Sequence, residues 1–144
     1  MFKHILLPID GSDSSVRAVE KGVALAKALD AKVTLMSAIE QYPAGLRGSV
    51  YRAEDSPVRQ AAKDAAAHWL GAAQEVAAAS GIKAEQLILE EGSVYQCILA
   101  AAEQSGADLI VMGSHGAGAL ERLLVGSQTQ RVLAHTSLPV LVLR

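Results

Sequence analysis

The run HILLPIDGSDSSVRAVEKGVALAKALDAKVTLMSAIE, residues 4–40, decides the architecture. It opens on a short apolar segment, residues 4–9, and passes through the turn chemistry of DGSD. It then sets Val16, Val19, Val23 and Ala26 at helical spacing. Asp30 and Ala31 close that helix, and residues 32–40 read as a second strand. Strand, helix and strand in this order make a parallel crossover unit, which is right-handed in nearly all known cases.

The same alternation continues outward. Residues 41–56, QYPAGLRGSVYRAEDS, carry glycines and a proline without period and read as a long loop. Compact domains usually keep such loops for function. Ser56 before Pro57 is a helix start: a serine cap, then a proline whose missing donor costs nothing in the first turn. The helix that follows places Ala62, Ala65, Ala66, Trp69 and Ala73 on one side and ends at Gly81, with Trp69 expected to fill core space beside small side chains. A third strand is read over residues 84–92. Ser93 and Gly106 then bracket a further helix, ADLIVM supplies a fourth strand, Ser127 caps QTQRVLAHTS, and VLVLR after Pro139 supplies a fifth. The result is a single α/β domain, residues 1–144, in which helices cover both faces of a mostly parallel sheet. The unbroken apolar runs HILLPI, LIVM and VLVL suit strands covered on both sides.

Composition narrows the chemistry. A chain of 144 residues with 51% hydrophobic and 19% charged residues forms one packed core, and 3% aromatics make that core aliphatic. A net charge of −2 without blocks of like charge gives no reason to expect a nucleic-acid partner. No apolar stretch is long enough to insert in a membrane, and Pro8, Asp10 and Asp13 interrupt any leader-like segment. The single Cys97 offers neither a disulfide nor a zinc spacing and reads as an inert core thiol of a cytoplasmic protein.

The segment GSHGAGALERLLVGSQTQ, residues 113–130, departs from the alanine-rich pattern. In an open α/β sheet, ligands sit beyond the carboxyl ends of the strands where strand order reverses. Asp10, Gly11 and Ser12 lie behind the first strand, and Gly113, Ser114, His115, Gly116 and Gly118 behind the fourth. Bare main-chain N–H groups accept anions, and Gly126 with Ser127 stands at the start of the last helix, where unpaired N–H groups do the same. A plain connecting turn accounts for a glycine cluster equally well. The Walker pattern fails because Ala119 and Leu120 follow Gly118, and the dinucleotide fingerprint fails at Glu121.

The spacing Gly113-x2-Gly116-x9-Gly126-Ser127, together with HILLPIDGSDSS, LIVMGSHG and SLPVLVLR, resembles the universal stress protein family over the whole chain. The resemblance implies a doubly wound five-stranded parallel sheet of order 3-2-1-4-5, ATP between the ends of strands one and four, and a homodimer through strand five. It places Asp10 near the ribose and a bound Mg²⁺, and Pro8, Ile9, Ala38 and Met112 around the base. Gly113, Ser114, His115, Gly116, Ala117 and Gly118 would wrap the phosphates, with Gly126, Ser127, Gln128 and Thr129 capping them. Two departures stand out: Ala117 occupies a position where many members carry arginine, and Gln128 one that is usually aliphatic.

His115 inside the glycine segment is a candidate phosphate contact, whereas His4, His68 and His135 lack metal-site spacing and read as structural or surface residues. Arg47 and Arg52 are candidates to fold over a polyphosphate. The leading functional expectation is an ATP-binding regulatory protein whose occupancy is read by a partner protein or by a second dimer. The alternatives are a slow Mg²⁺-dependent ATP hydrolase or nucleotidyl-transfer enzyme, with Asp10 and His115 as its candidates, and a structural dimer without nucleotide.

Overall fold

A computed structural model describes residues 1–40, 57–115 and 125–144. Five strands, β1 (His4–Pro8), β2 (Lys32–Ala38), β3 (Glu85–Leu89), β4 (Leu109–Gly113) and β5 (Val140–Leu143), form one parallel sheet of order β3-β2-β1-β4-β5. Among the described residues the helices are α1 (Asp13–Leu29), α2 (Pro57–Ala79), α3 (Val94–Ser105) and α4 (Ser127–His135).

Alternation along the strands sorts the core into two layers. Ile5, Leu7, Val33, Leu35, Leu109 and Val111 face α1 and α2, together with Val19, Val23, Leu70 and Ala73. Leu6, Met36, Ile110 and Met112 face α3 and α4, together with Cys97, Ile98, Ala101 and Val132. β1 and β4 are therefore covered on both sides, which accounts for their unbroken apolar sequence. β5 differs from that expectation. It is the edge strand that the order 3-2-1-4-5 implies, and none of its four residues is fully buried, with Leu141 39% exposed.

The faces of the helices explain two further differences. Val16, read as part of the buried stripe of α1, is 49% exposed. The buried stripe runs instead through Ser15, Ala18, Val19, Gly22 and Ala26, and Val16 lies about 100° around the helix from Ser15. On α2 the fully buried positions are Ala66, Leu70, Ala73 and Ala77, while Ala62, Ala65 and Trp69 are half-buried. Trp69 packs on the α1/α2 core layer at its margin. Ser93 and Gly106 bracket α3 as read, Gly106 in the left-handed conformation at φ 74° and Ser93 N–H donating to Gln96 Oε1 at 3.0 Å.

The amino end of the sheet is closed by hydrogen bonds. Asp108 accepts from the N–H groups of Lys3 and His4 at 2.9 and 3.0 Å, and the Lys3 bond above all holds its carboxyl below the ordinary 3.8. His4 Nε2 pairs with Thr34 Oγ1 at 2.7 Å, a structural role as read from its isolation in sequence. Cys97 is buried, its Sγ accepts from Glu91 N–H at 3.2 Å, and burial pushes the thiol upward, away from the reactive thiolate.

α1 approaches β1 closely because Gly22 has no side chain; a Cβ there would run into Leu7, which is fully buried. Alanine is the better helix former by about 1 kcal/mol, but overpacking costs about 1–3 kcal/mol. Gly22→Ala is therefore expected to lower the midpoint of urea unfolding. A raised midpoint would show that Leu7 yields and that helix propensity governs.

Candidate functional site

β1 and β4 are neighbours in space but not in sequence, and their crossovers leave on opposite faces. This is the place where strand order reverses and a crevice opens beyond the carboxyl ends. A cavity of about 490 Å³ lies there.

Its first wall is the end of β1. Ile9 N–H donates to Met36 C=O at 2.8 Å and Ile9 C=O accepts from the buried Ser37 hydroxyl at 3.0 Å, so Pro8 and Ile9 are fixed at the rim. Asp10 follows. Its Oδ1 accepts from Ser12 N–H at 2.9 Å and from Ser12 Oγ at 2.5 Å, and Ser12 Oγ accepts in turn from Ser15 N–H at 3.1 Å as the cap of α1. Gly11 makes the bend at φ 79°, a conformation that disfavours other residues, and the Trp69 indole occupies the space a Cβ would need. Trp69 thus braces the turn that carries Asp10.

The second wall is apolar. Met36 and Ala38 from β2, Val94 and Ile98 from α3 and Met112 from β4 line it. Together they form a slot between sheet and helix suited to a flat ring, in the manner of most small-molecule sites.

The third wall joins β4 to α4. Gly126 N–H donates to Ser114 C=O at 2.6 Å, and the buried Thr129 Oγ1 donates to Gly113 C=O at 3.0 Å. The two glycine stations are thereby tied together at one edge of the cavity. Gly126 takes the cap position, one residue earlier than the Ser127 cap read from sequence, and Ser127 begins the helix. The N–H groups of Ser127, Gln128 and Thr129 have no acceptor within the helix, as the first turn of any helix requires. They add the positive end of the helix dipole to the cavity.

Of the residues read from sequence, Pro8, Ile9, Asp10, Ala38, Met112, Gly113, His115, Gly126, Ser127, Gln128 and Thr129 line one cavity. Ser114 does not. It is 1% exposed, its N–H donates to Leu143 C=O at 2.8 Å within the sheet, and its Oγ pairs with His115 Nδ1 at 2.7 Å. Gly116, Ala117, Gly118, Arg47, Arg52 and Ser56 lie outside the described residues. His115 Nε2 is buried and has no hydrogen-bond partner among the described residues.

Ser15, Met36, Glu40, Val94 and Ile98 line the cavity but carry no motif. Met36 was recoverable as the residue two before Ala38 on the same strand face. Val94 and Ile98, at helical i, i+4 spacing, needed the sheet order to bring α3 over the slot. Among the described residues no group of three His, Cys, Asp or Glu side chains converges on a metal position, and none of the helices is long and apolar enough to cross a membrane. Asp10 and Glu40 are the carboxylates of the described lining, a sparse donor set that fits Mg²⁺ held mainly by a ligand's phosphates and water.

The fold and site define a doubly wound α/β domain with a ligand crevice at its switch point. The model of the universal stress protein family matches residues 1–144, and the chain belongs to that family. A universal stress protein of Thermus aquaticus, from the 3′ region of a QAH/OAS sulfhydrylase gene, is 37% identical over 144 residues, with 100% of both chains covered. The solved structure of hypothetical protein MJ0577 superposes with a TM-score of 0.83 at 27% identity, covering 99% of this chain and 96% of that one. A universal stress protein solved in complex with cAMP gives a TM-score of 0.72 at 26% identity, covering 99% and 97%.

Glycine at 113 has a packing reason beside any ligand role: a Cβ there would lie 2.9 Å from the Ser14 carbonyl carbon and oxygen on α1. Gly113→Ala is expected to reduce unfolding free energy by about 1–3 kcal/mol, measured by urea denaturation without ligand. An unchanged midpoint would leave close approach of a ligand as the sole reason for the glycine.

Proposed function

We propose that this chain binds an adenine nucleotide, ATP with Mg²⁺ foremost, and acts as a regulatory protein whose occupied and empty forms are read by a partner. The observation that carries the proposal is the continuity of one cavity from an apolar slot at Met36, Ala38, Val94, Ile98 and Met112 to the free N–H groups of Ser127, Gln128 and Thr129. A base fits the first end and a phosphate the second. The cAMP complex of a similar protein supports the ligand class. Asp10 at the rim stands where a ribose or a phosphate-bound Mg²⁺ would pass. The Gly116–Gly118 segment and His115 complete the proposed phosphate wrap.

Occupancy alters a surface only through different affinity for two states. The proposed reader is a second protein, a second copy of this chain or a dimer of dimers. Homodimerisation is assigned to β5, an edge strand that carries the exposed Leu141. A cytoplasmic location and an absence of nucleic-acid partners belong to the same proposal.

Native mass spectrometry of the purified chain should show a dimer carrying nucleotide. Added MgATP at a hundred-fold excess over Kd should stabilise the fold by about 2.7 kcal/mol, read as a rise in Tm. No mass increment, no heat of binding and no shift in Tm would overturn the nucleotide reading; a monomer at micromolar concentration would overturn the dimer.

A further inference from the structure

Gln128 makes a contact that the other cavity residues do not. It stands in the first turn of α4, and its side chain crosses to α3, where Oε1 accepts from Tyr95 N–H at 3.0 Å. Tyr95 is in the first turn of α3, so its N–H has no acceptor within its own helix. Only the oxygen of a carboxamide can accept that bond, which settles which way the amide is turned. The NH₂ end is left on the other branch, and among the described residues no group accepts from it. Gln128 lines the cavity beside Val94, Gly126 and Ser127.

The hydroxyls of Thr129 and Ser15 are already committed. Thr129 Oγ1 donates to Gly113 C=O at 3.0 Å, and Ser15 Oγ donates to Ser12 C=O at 2.9 Å. The Gln128 amide rises from the same helical turn as the free N–H groups of residues 127–129. A ligand phosphate held by that turn would offer an acceptor to its NH₂ group. The bond to Tyr95 holds the donor in place before the ligand arrives, which lowers the ordering cost of binding.

We propose that Gln128 is a specificity-determining residue of this cavity, its side-chain NH₂ donating to the nucleotide phosphate seated on α4; this rests on the nucleotide reading above. The residue selects phosphorylated ligands over the bare nucleoside by a neutral, pre-positioned donor.

Gln128→Glu separates the two ends of the side chain, because it keeps an acceptor for Tyr95 N–H and replaces the donor by an acceptor. Isothermal titration with ATP should show binding weakened by about ten-fold or more, and the uncharged Gln128→Met separates the missing donor from charge repulsion with the phosphate. The Tm of the unliganded protein should be retained. Adenosine should bind wild type and variant alike. Gln128→Met should lose ATP affinity to a similar degree and also lower Tm, because Tyr95 N–H then has no acceptor. ATP binding by Gln128→Glu as tight as wild type, or an equal loss for adenosine, would overturn the phosphate assignment while leaving the site. A wild-type protein that binds no ATP would overturn both.

Discussion

Two hydrogen bonds hold the start of α4 against the end of β4: Gly126 N–H to Ser114 C=O, and Thr129 Oγ1 to Gly113 C=O. They act beside the buried Val132, which packs α4 on the sheet, and the Gln128–Tyr95 bond, which ties its first turn to α3. The unpaired N–H groups of that turn open onto the same space as the ends of β1 and β2. Burial makes the constraint firm, since Thr129 is 2% exposed and an unmade hydrogen bond there would cost about 1–3 kcal/mol.

The opposite rim is built by a different device. Asp10 is held by Ser12, Ser12 caps α1, and Trp69 from α2 packs over Gly11 between them. α1 in turn presses Ser14 against Gly113, so the two rims share one helix. A displacement of the Asp10 turn would be felt at the end of β4 through α1. This linkage supplies a physical route by which a ligand bridging both rims would stiffen the whole mouth of the sheet.

Much of this was legible in the residues. The βαβ alternation, the capping of α3 by Ser93 and Gly106 and the apolar continuity of β1 and β4 each follow from local spacing, and the structure has them where the sequence puts them. Strand order was not readable from spacing; it came from the resemblance of whole segments. Val16 was misplaced because the stripe of Val19, Val23 and Ala26 is continued at the start of α1 by Ser15, a serine that apolar spacing does not mark. Ser114 was placed in the phosphate wrap by the family resemblance, whereas in the structure its N–H pairs with Leu143 of β5 and it does not line the cavity. Val94, Ile98 and Glu40 were missed because only tertiary packing brings them to the cavity. Gln128 was noticed as a departure, and its partner on α3 could not be inferred before the two helices were seen side by side.

The central claim is that a nucleotide phosphate sits on the first turn of α4 while its base fills the slot beside Met36 and Met112. Amide-resolved NMR of the ¹⁵N-labelled chain, titrated with MgATP, tests it most directly. Saturable shifts of the Ser127, Gln128 and Thr129 N–H signals, moving in step with Ile9 and Met112, are the predicted result. A titration that leaves those three amides unmoved, whatever else it shifts, would contradict the account.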